Sequence, residues 1–143
     1  IASLMAPYLN RSSVDSVSYR ITLFMGNSGF TPFGAHLDKP GLDVMHFHFG
    51  PGAKSMTLWA KEEFQKLTKS KAEHCHEYES YLGAGRSFTL KQGDVLFFPA
   101  DKFYHVGEYD DFSIAAAIGI IKENPKSLLK KALSTWESDI TRT

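Results

Sequence analysis

The sequence predicts an all-β domain with minor helices, a sandwich or barrel closed by an amphipathic helix at its C-terminal end. Three observations carry this. Seven or eight short stretches are rich in β-branched and aromatic residues, the composition of strands. Pro-Gly pairs and Gly-containing turns separate them at short intervals, as in all-β folds. Helical spacing of apolar residues appears in only two places, one of them the tail.

In chain order, Val17 to Met25 alternates bulky and polar residues, as a half-buried strand does, and GNSG follows as a turn. Phe33 to Asp38, Val44 to Phe49 and Ser55 to Trp59 are the next strands, separated by KPG and GPG. The run from Ala60 to Leu82 is charged and helix-favouring, with Phe64 and Leu67 three apart. It predicts a surface helix near Lys61 to Ser70 and then an insertion without a clear pattern. Strands resume at Arg86 to Leu90, Val95 to Pro99, around His105, and from Phe112 to Ile121. Pro125 stands where a helix can start. Leu128, Leu129, Ala132, Leu133 and Trp136 then recur at helical spacing, which predicts a helix over about 125–140.

A chain of 143 residues is long enough for one buried core. We therefore expect a single domain over 1–143 with its core at about 17–121, or such a domain taken from a longer protein, since the chain does not begin with Met. Lys+Arg and Asp+Glu both total 16, so no basic surplus is available to neutralise phosphates, and nucleic acid is an unfavoured partner. The single cysteine, Cys75, excludes an internal disulfide and fits a reducing compartment, the cytoplasm. No apolar run approaches the roughly 20 residues of a membrane helix, so no membrane partner is expected. The apolar face of the tail helix would cover the barrel or a second copy in a homodimer.

Only six histidines are present, and their placement is uneven. In His36-Leu37-Asp38 the imidazole and carboxylate are two apart, so on an extended strand both point to one side. A histidine from a distant strand would complete two His and one carboxylate, the facial set that leaves positions open on an Fe(II). His105, after the strand GDVLFFPADKFY, is the natural third member. His46 and His48 form an HxH pair, which with His105 makes a rival ligand set of the ordinary cupin kind. The expected glutamate is absent until Glu62, so these two rings are read as facing a substrate cavity, as is Tyr104. His74 and His76 flank Cys75 in a charged run without a second cysteine, and a solvated rim outweighs a zinc or copper site.

GDVLFFPADKFYH resembles the second conserved motif of cupins, and in particular of their JmjC-type branch. TPFGAHLD is similar to that branch's HxD motif, and GAKSMTLW to its following strand, which carries a lysine. The likeness runs from about Tyr19 to Ile121. It implies a double-stranded β-helix (a cupin, or jelly-roll, barrel) that binds Fe(II) through His36, Asp38 and His105 and uses 2-oxoglutarate and O2 as co-substrates.

A buried dicarboxylate needs a cation. The arginine that many such enzymes place after the distal histidine is missing here before Arg142, and the JmjC-type alternative implies Lys54. Tyr19, Thr31 and Ser113 would add hydroxyl donors. The apolar AAAIG stands where some relatives carry an amide or hydroxyl, so one contact of that kind is lacking. The implied activity is a 2-oxoglutarate-dependent dioxygenase that hydroxylates or demethylates a side chain of a peptide or protein, or an amino-acid-like small molecule. The alternatives are a metal-binding cupin that is not an oxygenase, acting as an isomerase or effector-binding module, and a barrel serving only for interaction.

Overall fold

The computed structural model describes residues 16–27, 33–123 and 129. By its contacts the chain divides into Tyr19–Ile121 and a second unit made of the two terminal stretches, and the site lies in the first. Thr31 and almost all of the helix expected over 125–140 lie outside the described residues.

Among the described residues nine strands form two antiparallel sheets: β1 (Ser16–Gly26), β2 (Ala35–His36), β3 (Leu42–Pro51), β4 (Lys54–Ala60), β5 (His74–Cys75), β6 (Arg86–Leu90), β7 (Val95–Pro99), β8 (Phe103–Tyr109) and β9 (Ser113–Glu123). One sheet runs β1-β9-β3-β7 and the other β5-β2-β8-β4-β6. Consecutive strands therefore switch sheets repeatedly, the winding of a double-stranded β-helix. A helix, α1 (Lys61–Thr68), and a 3-10 helix (Glu79–Ala84) lie between β4 and β6.

Two-residue alternation assigns the faces. On β3, Val44, His46 and His48 are buried, and their partners on β9 are Gly119, Ala117 and Ala115. On the facing sheet, Lys54, Met56 and Leu58 of β4 pair with Tyr109, Gly107 and His105 of β8, so these six share one side. This interior is apolar at its centre: Val44, Met56, Leu58, Leu90, Phe98 and Ala100 form one cluster. Trp59, Tyr104 and Val106 have the opposite parity and form a second cluster with Phe64 of α1 and Tyr78 of the insertion. The insertion is thus a lid on the outer face of the five-stranded sheet, held by a Trp59 indole N–H to Tyr81 carbonyl bond of 2.9 Å.

Three differences from the sequence reading have local causes. The strand expected from Phe33 to Asp38 shrinks to Ala35–His36 because Gly34 turns the chain at φ +64° and the main-chain N–H groups of Leu37 and Asp38 bond to Glu73 and Ala100 carbonyls. α1 stops at Thr68 because Lys69 adopts the left-handed conformation. The patternless insertion contributes a strand, β5, only two residues long. Among the described residues no helix is long and apolar enough to cross a membrane.

Candidate metal centre

His36 ends β2 and His105 lies directly opposite it on β8, with ring centroids 4.2 Å apart. Asp38 follows His36 by two residues. Although β2 ends at His36, the Asp38 carboxylate lies on the side of these rings, 3.7 Å from His105 Nε2. Donor atoms of His36, Asp38 and His105 all fall within 4.8 Å of one another, and among the described residues no other set of three or more His, Cys, Asp or Glu side chains meets in this way.

The protonation of this set suits a cation. His36 Nδ1 is 3.1 Å from the Gly34 carbonyl and His105 Nδ1 is 3.3 Å from the Phe103 carbonyl. Each Nδ1–H is thereby donated to main chain, which leaves the Nε2 lone pairs free, the arrangement usual for metal-binding imidazoles. Burial holds the His105 pKa down at about 3, and the neighbouring His36 pushes it the same way. The ring is therefore neutral at physiological pH, and its approach to Asp38 is not an ion pair but two donors facing one point. Burial raises the Asp38 pKa, against the pull of His36, Arg20 and His74. A buried carboxylate pushed towards its neutral form is one that a cation would relieve.

Deeper in the barrel, Lys54 is only 4% exposed. Its ammonium donates to the Tyr109 hydroxyl at 3.1 Å and lies over the Phe24 and Tyr109 rings at 4.9 and 4.5 Å. Burial lowers its pKa to about 8. Gly107 makes room for it: a Cβ there would come within 2.6 Å of Lys54 Cε. His46 acts electrostatically on His105 and feels Lys54 in turn; burial first, then Lys54 and His48, brings its own pKa to about 3. His46 Nε2, His48 Nδ1 and Ser113 Oγ are buried without a hydrogen-bond partner. Orphaned interior polar atoms are costly and are expected where a polar ligand completes the cavity.

The remaining residues singled out from sequence distribute as follows. Tyr19 falls on the alternation of Ile21, Leu23 and Met25, which are 63–73% exposed, while Phe24 of opposite parity faces Lys54. Tyr19 thus faces away from the cavity. Tyr104 is one residue from His105 and so points to the outer face, where its hydroxyl donates to the Ala72 carbonyl at 2.6 Å; it is a packing residue. The rival set of His46, His48 and His105 does not converge, since His48 Nε2 is engaged by the Gly52 carbonyl at 2.6 Å. His74 is exposed, as the solvated rim expected of it requires, and its ring also stacks beside His36. A cavity of about 430 Å³ is lined by residues of β4, β6, β7 and β8 and by none of His36, Asp38 and His105, so the chemistry does not belong to it.

The family model of the JmjC domain matches residues 6–128. None of the curated proteins matches the chain. Among solved structures, the ribosomal oxygenase YcfD from Escherichia coli in complex with cobalt and succinic acid is similar over 90% of this chain and 30% of its own, at 21% identity and a TM-score of 0.55. The same enzyme in complex with cobalt and 2-oxoglutarate is similar over 96% and 33%, at 20% identity and a TM-score of 0.54. These likenesses show the fold, and the chain spans about a third of the length of those proteins.

Proposed function

The chain belongs to the JmjC domain family, and from that premise we propose that residues 1–143 act as one domain, the core of an Fe(II)- and 2-oxoglutarate-dependent dioxygenase. The observation that carries the reading is the convergence of His36, Asp38 and His105 within 4.8 Å, with both imidazoles tied through Nδ1 to main-chain carbonyls. Two imidazole nitrogens and one carboxylate on one side of a point are a facial set for Fe(II) with positions left open. The substrate class we favour is a side chain of a protein or peptide, hydroxylated rather than demethylated. The described relatives' name, ribosomal oxygenase, supports a protein substrate. We place the activity in the cytoplasm.

When bound, Fe(II) with 2-oxoglutarate and O2 would supply the oxidation: one oxygen atom of O2 would enter the substrate C–H bond as hydroxyl and the other the succinate that 2-oxoglutarate becomes on losing CO2. The chain's own residues bind, orient and shield. His36 and His105 would hold the ion through Nε2, the Nδ1 of each being tied to the Gly34 or Phe103 carbonyl. Asp38 adds the negative charge that offsets the cation. Lys54 anchors the far carboxylate of 2-oxoglutarate; with its pKa lowered to about 8, the arriving anion pulls it back towards the charged form. Ser113 Oγ and His46 Nε2, both buried without partners, are the further polar contacts we assign to the co-substrate, with His48 Nδ1 beside them. Phe24, Met56, Leu58 and Phe98 keep water from the reacting groups.

The test is anaerobic titration with Fe(II) and then 2-oxoglutarate, following the weak visible charge-transfer band, on wild type and His36→Ala. A band that needs both additions and disappears in the variant is the expected result. Metal binding without a 2-oxoglutarate band would return the chain to the class of non-oxygenase cupins.

A further inference from the structure

The segment between β4 and β6 does more than cover the sheet. It returns to the sheet edge as β5, in a register that sets His74 opposite His36 and Cys75 opposite Ala35. Cross-strand partners project to one side, so His74 shares the face of His36 and His105, while Cys75 packs with Ala35 in the outer cluster. The His74 and His36 rings are nearly parallel, 16° apart in plane, with centroids 5.8 Å apart, within the range of offset stacking. Three imidazoles therefore lie in a row across β5, β2 and β8, with His36 in the middle.

Two further contacts hold the row. His74 Nδ1 lies 3.4 Å from the Phe33 carbonyl, next to Gly34, whose carbonyl receives His36 Nδ1. A side chain at Gly34 would collide with the Cys75 carbonyl, so glycine at that point is what lets β5 come close. His74 is not one of the converging donors.

We propose that His74 is a positioning residue for the metal centre: its ring lies against His36 and keeps the His36 Nε2 aimed at the point shared with Asp38 and His105. This rests on the metal reading above. A ligating imidazole held by a single bond through Nδ1 can still swing about that bond, and a parallel ring alongside blocks the swing. The insertion thereby contributes to the centre although it supplies no ligand.

The experiment is Co(II) binding, read by the visible d–d spectrum and by competition with a chelating dye, on wild type, His36→Ala, His74→Ala, His74→Phe and His74→Leu. The metal-free unfolding midpoint of each is measured alongside. Removing a residue that orients a ligand costs about 10-fold in metal affinity. His74→Ala should show that loss with an altered band envelope and an unchanged metal-free midpoint; His74→Phe should restore both affinity and spectrum, and His74→Leu neither. If His36→Ala abolishes binding while His74→Ala equals wild type, the centre stands and the role of His74 is overturned. Equal rescue by Leu and Phe, or a metal-free midpoint that falls enough to account for the loss, overturns it as well. Undiminished binding by His36→Ala, or no binding by wild type, refutes the metal reading itself and the proposal with it.

Discussion

Replacing Lys54 with methionine should stabilise the protein and remove co-substrate binding at the same time. The side chain is 4% exposed and its pKa falls from 10.5 to about 8 because of burial. At ~1.4 kcal/mol per pH unit, the buried ammonium costs about 3 kcal/mol wherever it is fully protonated in the folded chain. The hydrogen bond to Tyr109 and the two ring contacts return about 1 to 2 kcal/mol. Methionine has nearly the same shape and no charge, so Lys54→Met should be about 1 to 2 kcal/mol more stable at pH 7. The sign with pH is fixed. Below pH 8 both folded and unfolded chains carry the proton and the cost is complete. Between pH 8 and 10.5 only the unfolded chain binds it, so wild-type stability rises with pH, and the advantage of the variant shrinks. Urea denaturation of both proteins at pH 7 and pH 9.5, with the 2-oxoglutarate band measured in parallel, makes the comparison. A variant less stable at pH 7 by an amount that does not change with pH would refute the reasoning.

Asp38→Asn should abolish Fe(II) binding, seen by loss of the charge-transfer band, without destabilising the metal-free chain in thermal unfolding, because burial already disfavours the carboxylate. His46, with its pKa lowered to about 3, stays neutral in the fold while the unfolded chain gains a proton near pH 6.5. Stability is therefore lost as the pH falls from 6.5 towards 3, by up to ~1.4 kcal/mol per pH unit; because His105 is shifted in the same way, His46→Phe should reduce the dependence of the unfolding midpoint between pH 7 and 4.5 by about half. Gly107→Ala drives a methyl to 2.6 Å from Lys54 Cε; calorimetry should show weaker 2-oxoglutarate binding, and denaturation a loss of about 1–3 kcal/mol.

The convergence of His36, Asp38 and His105 was legible in the sequence because it depends on local rules. The i, i+2 spacing of His36 and Asp38 still brings both to one point even though β2 ends at His36, and the strand leading to His105 is marked by GDVLFFP. What local rules leave open is parity at a distance. Tyr19 has the opposite parity to Phe24, which faces Lys54, and Tyr104 stands one residue from His105; nothing in a short alternating run says which set meets the cavity until the opposite sheet is in place. His74 was illegible for a related reason: β5 has two residues, too few for a pattern, and its register comes from Gly34 admitting it to the edge of β2. Lys54 was reached through the family resemblance, whereas the gap at Gly107 that accommodates it became visible only in three dimensions.

The most direct test of the central claim is anomalous X-ray diffraction from crystals soaked anaerobically with Fe(II), recorded above and below the iron edge. A single strong peak within coordination distance of His36 Nε2, His105 Nε2 and an Asp38 carboxylate oxygen is the expected result. A peak at His46 and His48, or at His74 and His76 away from those three groups, would contradict it.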